Sequence, residues 1–151
     1  MNVQDSRNSR EVAYFGVPWE KAYGYVQAVR VGNTIRLAGQ LSHDDEGNFI
    51  GAPGPADPEG KADTSTMELQ MRTTYANAAK ILARFGVGLQ DVVEEVVYVT
   101  DMDAAFAVAG LVRKAAYQTD APQCVSTIVQ ITRLALPQQL IEISFTAVLP
   151  D

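Results

Sequence analysis

One cysteine and one histidine stand among the 151 residues, and each scarcity excludes chemistry. A lone thiol forms no internal disulfide, which suits a reducing compartment and makes the cytoplasm the expected location. With His43 as the sole imidazole, any Ser-His-Asp arrangement would have to use it. There is no glycine-rich phosphate loop, no paired-cysteine motif and no histidine-rich metal spacing. His43 sits in HDDEGN, which reads as a polar turn, so no metal is expected. No run approaches membrane-spanning length, and the start MNVQDSRNSREVAYF lacks an apolar signal core. Positive charge is thin as well: 12 Lys and Arg face 18 Asp and Glu, giving a net charge of −6. The basic residues are scattered, which argues against a nucleic-acid partner. The acidic runs Asp44-Asp45-Glu46 and Glu94-Glu95 read as solvated surface.

What is present is an ordinary globular composition, 47% hydrophobic and 20% charged. A single domain over 1–151 is expected, long enough to bury roughly 68–70% of its unfolded surface. Met1 to Asn8 reads as a frayed start and Arg10 to Tyr14 as a short strand. Val17 to Gly24, mixing proline, glycine and aromatics, reads as an ordered loop rather than a helix. Tyr25 to Val31 and Thr34 to Ser42 are β-rich runs separated by Gly32-Asn33, a hairpin signal. Gly39 inside the second run marks a bulge or a close approach to the backbone. From His43 to Ser65 prolines and glycines recur without periodicity, as in a lid, a binding loop or a subunit contact.

Ser65 or Thr66 then caps a helix whose apolar stripe is Met67, Met71, Tyr75, Ala78, Leu82 and Phe85, with Gly86 as its C-cap glycine. Asp91 to Thr100 is a valine-rich strand, and Asp101 caps a second helix with Asp103 in its first turn. The order strand hairpin, helix, strand, helix, strand, strand predicts an α+β two-layer sandwich, helices on one face of a mixed sheet.

The stretch Cys124 to Leu149 reads as two final strands. In the second, Ile141, Ile143, Phe145, Ala147 and Leu149 share one face and Glu142 lies on the other. In the first, Cys124, Ser126, Ile128 and Gln130 oppose Val125, Thr127, Val129 and Ile131. If the polar faces share one side of the sheet, Glu142, Ser126, Cys124 and Gln130 converge. A carboxylate among such apolar neighbours has a raised pKa and can move protons or orient a water. The residues alone leave equally open a solvated glutamate, or one paired with an arginine such as Arg36. Cys124 reads more simply as an inert buried thiol, since no adjacent base or cation is visible.

Several segments, taken in order, resemble the Rid (reactive intermediate deaminase, YjgF-type) family. Gly24-Tyr25-Val26-Gln27-Ala28-Val29, then Val31-Gly32-Asn33 and Ala38-Gly39-Gln40, is similar to its PYSQAV…GN…SGQ signature. Asp91-Val92-Val93 with Tyr98-Val99-Thr100-Asp101-Met102 and Phe106 resembles a second segment. Leu134 with Ile141-Glu142-Ile143 resembles the terminal L…VEIEA stretch. The resemblance implies a chorismate-mutase-like fold and a homotrimer with pockets between subunits. It also implies hydrolysis of enamines or imines to a keto acid and ammonia without a cofactor. Tyr25, Gly39 and Glu142 match pocket positions, Glu142 positioning the attacking water. In deaminase members a P-x-R segment supplies an arginine for the substrate carboxylate. Here Cys124 and Ser126 fall at its proline and arginine, which points to a substrate other than simple amino-acid imines. A non-catalytic metabolite-binding or regulatory trimer is the alternative. RNA cleavage is disfavoured by the acidic balance and the missing histidine pair.

Overall fold

Strand pairing sets the architecture, and the computed structural model describes it for residues 9–151. The frayed start expected for Met1 to Asn8 lies outside those residues. Strand β1 (Glu11–Ala13) pairs antiparallel with β2 (Ala28–Val31), which turns through Gly32-Asn33 into β3 (Thr34–Gln40). Only Gly32 adopts the left-handed φ that this tight turn uses, at +61°. Helix α2 (Met67–Ala83) leads through a short 3-10 turn to β4 (Val92–Val99), α3 (Met102–Tyr117), β5 (Val125–Gln130) and β6 (Ile141–Val148). The six strands lie in the order β1-β2-β3-β6-β4-β5. Among the described residues only β4 and β5 run parallel, because the helix α3 between them provides the crossover that parallel neighbours need.

The sheet has two unlike faces. Odd positions of β6 (Ile141, Ile143, Phe145, Ala147) are buried beside Ile35, Leu37, Val97 and Val99. Against them pack Met71, Tyr75, Ala78 and Leu82 of α2 and Ala105 and Val112 of α3. The predicted apolar stripe of α2, from Met67 to Phe85, is buried in full. The opposite sheet face carries Arg36, Glu94, Thr127 and Val129, all exposed, and is not covered by these two helices.

Polar residues of α2 fasten the long loop. Gln70, fully buried, donates to the carbonyls of Gly51 and Gln138 and accepts from Leu140 N. Asn77 donates to the carbonyls of Leu41 and His43. The segment 43–65 has no helix and is stiffened by aspartate-centred turns at Asp44, Asp57 and Asp63. His43 departs from the polar-turn reading: it is buried, edge-on to Phe15 and Trp19, with Nδ1 2.7 Å from the carbonyl of Asp44.

One expected loop is a helix. Val17 to Gly24 contains a helix, α1 (Pro18–Tyr23), rather than a loop. Its proline occupies the first turn, where a missing N–H costs nothing, and Gly24 ends it at φ +89°. The buried Glu20 carboxylate accepts from the N–H groups of Phe15 (2.8 Å), Gly16 (2.8 Å) and Val17 (3.1 Å). Punctuation for a short helix was thus mistaken for loop composition. Replacing Glu20 by Ala strands three backbone donors and should cost about 2 kcal/mol, read as a lowered urea midpoint.

Candidate functional site

The period-two alternation of β6 puts Glu142 on the uncovered face, and a bulge in β3 brings the backbone up to it. The β3–β6 register slips between Leu37 and Gln40, and Gly39 sits in the slip. A Cβ at Gly39 would lie 2.5 Å from Glu142 Cδ and 2.6 Å from Oε2, closer than real atoms approach. Both sequence readings of this glycine, bulge and close approach, hold at once. Gln139, itself buried, donates through Nε2 to Glu142 Oε1 at 3.4 Å. Removal from water raises the Glu142 pKa, and the Gln139 bond only partly offsets it.

Tyr25 stands near this carboxylate. Burial raises its phenol pKa, and the charges of Glu20 and Glu142 add to the rise. Its hydroxyl accepts from Gln27 Nε2 at 3.4 Å, and Gln27 Oε1 accepts from Gln40 Nε2 at 3.0 Å. Gly39 and Glu142 are therefore packed against each other, and Tyr25 is close enough for the Glu142 charge to act on its phenol. A carboxyl with a raised pKa, held by an amide beside an open backbone, can take a proton from water and return it.

Ser126 and Cys124 do not join that group within one chain. Ser126 is paired with Glu95, which is paired in turn with Phe145, so all three face the helices. Glu142 is paired with Tyr98 on the other side. The proposed convergence fails because β4 separates β5 from β6 and their polar positions fall on opposite faces. Gln130 goes elsewhere too, accepting from Met102 N at 2.8 Å to help cap α3. Asp101 provides the predicted cap, accepting from Ala104 N at 2.8 Å.

What Ser126 meets was missed in the sequence. Glu95, read as solvated, has a fully buried side chain. It accepts from Tyr75 Oη (2.8 Å), Tyr117 Oη (2.7 Å), Ser126 Oγ (2.8 Å) and Arg113 Nε. Arg113 Nη2 also reaches Cys124 Sγ at 3.5 Å, so the thiol has a cation beside it after all. The signal was available: Glu95 keeps phase with Val97 and Val99, both core residues. A charge pair hid it.

The endoribonuclease L-PSP family model matches residues 18–149. The chain belongs to that family. Its fold is the family's chorismate-mutase-like α+β sandwich, of YjgF or Rid type. It is similar to Rv2704 of Mycobacterium tuberculosis, described as a member of the YjgF/YER057c/UK114 family. The two are 27% identical with a TM-score of 0.73, over 93% of this chain and 100% of that one. An endoribonuclease candidate of Thermotoga maritima is 29% identical, TM-score 0.72, over 95% and 99% of the two chains. RidA of the Antarctic bacterium Psychrobacter sp. is 29% identical, TM-score 0.66, over 83% and 89%. None of the curated proteins matches the sequence. All five residues singled out above, Tyr25, Gly39, Cys124, Ser126 and Glu142, fall inside the L-PSP segment. Among the described residues no cluster of metal-binding side chains occurs, and no helix is long and apolar enough to cross a membrane.

The Glu142 environment has a measurable signature. A raised folded-state pKa means that the native protein holds a proton which the unfolded chain releases. Stability is therefore lost as pH rises from the ordinary value of 4.5 through the folded one. Glu142→Gln should be more stable than wild type at pH 7 in thermal melts, the gap closing below pH 4.5.

Proposed function

We propose that this L-PSP family member is a cytoplasmic homotrimer with small-molecule pockets between copies, in which Glu142 activates water to hydrolyse an enamine or imine. The observation that carries the reading is the Glu142 carboxyl, half-buried with a raised pKa, lying over Gly39 beside Tyr25. A carboxyl whose pKa is raised by burial is suited to general acid–base work.

The reaction balances without a cofactor. An enamine takes a proton from solvent on carbon to become the iminium ion. Water then adds to the C=N carbon as Glu142 accepts its proton, and the carbinolamine forms. Glu142 returns the proton to nitrogen, the C–N bond breaks as ammonia leaves, and the hydroxyl proton passes to solvent, leaving the carbonyl compound.

The two faces of the sheet support the assembly. Glu142 and the Ser126–Cys124 edge are on opposite sides of the same sheet, so a pocket using both draws each from a different copy. The uncovered face carries Val125, 64% exposed, and Val129, 36% exposed, and β5 is an edge strand with no neighbour on its far side among the described residues. Surfaces of this kind favour a partner. RidA, the similar Psychrobacter protein, lends its name to the same reading. Ser126, where the resemblance expects an arginine, supports a substrate other than a simple amino-acid imine.

A non-catalytic metabolite-binding trimer is the second reading, favoured by the same serine: its one hydroxyl hydrogen goes to Glu95, which leaves no donor for an anionic substrate where an arginine would offer two. RNA cleavage gains little from the family's description. The net charge is −6, and the sole histidine is buried between Phe15 and Trp19.

Ammonia release from a panel of imines, with and without a carboxylate, separates the readings. Glu142→Gln should lower turnover at least ~100-fold while light scattering still gives the mass of three chains. Unchanged binding with no turnover in either protein would favour the metabolite-binding reading, and a stable monomer would sink the shared pocket. Ser126→Arg should gain activity on amino-acid-derived imines by ~10-fold or more, since a guanidinium binds a carboxylate through two charged hydrogen bonds.

A further inference from the structure

The Glu95 cluster determines what the β5 edge can offer a ligand. A carboxylate has only acceptor positions, so Tyr75, Tyr117, Ser126 and Arg113 must each donate to it. Burial, followed by the charge of Glu95, pushes both phenol pKa values far up, so the tyrosines stay protonated. Ser126 has one hydrogen and it is committed inward. Ser126 is an exposed residue, and with its hydrogen spent its Oγ has only lone pairs left to offer a ligand. Arg113 has five N–H groups, of which Nε serves Glu95 and one on Nη2 serves Cys124. Among the described residues Arg113 makes no other hydrogen bond; its side chain is 24% exposed, with the guanidinium carbon 5.6 Å from the centre of the Tyr117 ring. Arg113 and Ser126 both bond the same oxygen, Oε1 of Glu95, so donor and acceptor stand side by side. The charges of Glu95 and Arg113 cancel.

We propose that this edge is the head-group end of the pocket and takes a primary carboxamide in preference to a carboxylate. The carboxamide oxygen accepts from the free Arg113 N–H groups, and its N–H donates to Ser126 Oγ. A carboxylate in that place meets the serine lone pairs. It also gives up its hydration to a cation already neutralised by Glu95, a loss that a neutral amide largely avoids. The inference rests on the shared-pocket reading above, because Glu142 and this edge meet only across two copies.

Stable product analogues test it: 2-oxobutanamide and 2-oxobutanoate, titrated into the whole protein by calorimetry. The expected result is amide binding at least ~10-fold tighter than acid, about 1.4 kcal/mol. Ser126→Ala, at an exposed edge position, should bring the two affinities together by weakening the amide. Glu142→Gln should leave the preference unchanged. Acid binding as tight as amide in the wild type overturns the carboxamide inference and leaves the pocket reading standing. Full amide preference in folded Ser126→Ala overturns it too, since Ser126 would then not be the acceptor. If neither analogue binds, the shared pocket falls and the inference with it.

Discussion

A buried carboxylate with four donors ties the two layers of this protein together. Glu95 projects from β4 toward the helices and collects Tyr75 from α2, Arg113 and Tyr117 from α3, and Ser126 from β5. A charge in that position is tolerable only because every lone-pair direction has a partner and a guanidinium balances it. Such a group is exacting. It fixes the spacing of α2 and α3 over the sheet and holds edge strand β5 in register with β4. The aromatic contacts around it, Tyr75 against Tyr117 and Phe145 with ring centroids 5.8 Å apart, continue into the apolar core. The polar knot and the hydrophobic layer are one packing unit.

The same knot gives the molecule its chemical asymmetry. On the helix side of the sheet, an acid is saturated with donors and electrically balanced, so it serves as a scaffold. On the other side, Glu142 has one amide partner among the described residues and lies over a glycine backbone, with its charge disfavoured by burial. Two glutamates in neighbouring strands thus take opposite roles, and the number of donors around each decides which. Gly39 is the complement to Glu142. Any side chain there would occupy the space of the carboxyl, so the bulge in β3 and the acid in β6 form a single feature.

Much of the fold was legible in the residues. The Gly32-Asn33 hairpin, the α2 stripe, the valine strand and the Asp101 cap were each announced by local chemistry, and the α+β sandwich follows from their order. Part of the site was legible too, because Glu142 and Gly39 violate the pattern of the strands that hold them. Helix α1 was missed because Pro18 and Gly24 were read as loop residues, although they are the residues that start and stop a short helix. Glu95 and Arg113 were missed for a different reason. The two residues are 18 apart in the chain and belong to no motif, so although Glu95 keeps phase with buried Val97 and Val99, nothing local names its partners.

The sequence by itself determined the periodicities: which side of β6 is apolar, where the helices begin, and that Glu142 faces away from the core. Only the tertiary structure decided which strands are neighbours. By inserting β4 between β5 and β6, it separated Ser126 and Cys124 from Glu142 and gave them to Glu95 and Arg113. The reason is physical. Alternation along a strand is a local property of the pleated backbone. The order of strands in a sheet is instead set by long-range burial and by the crossover helix, which no stretch of residues encodes alone.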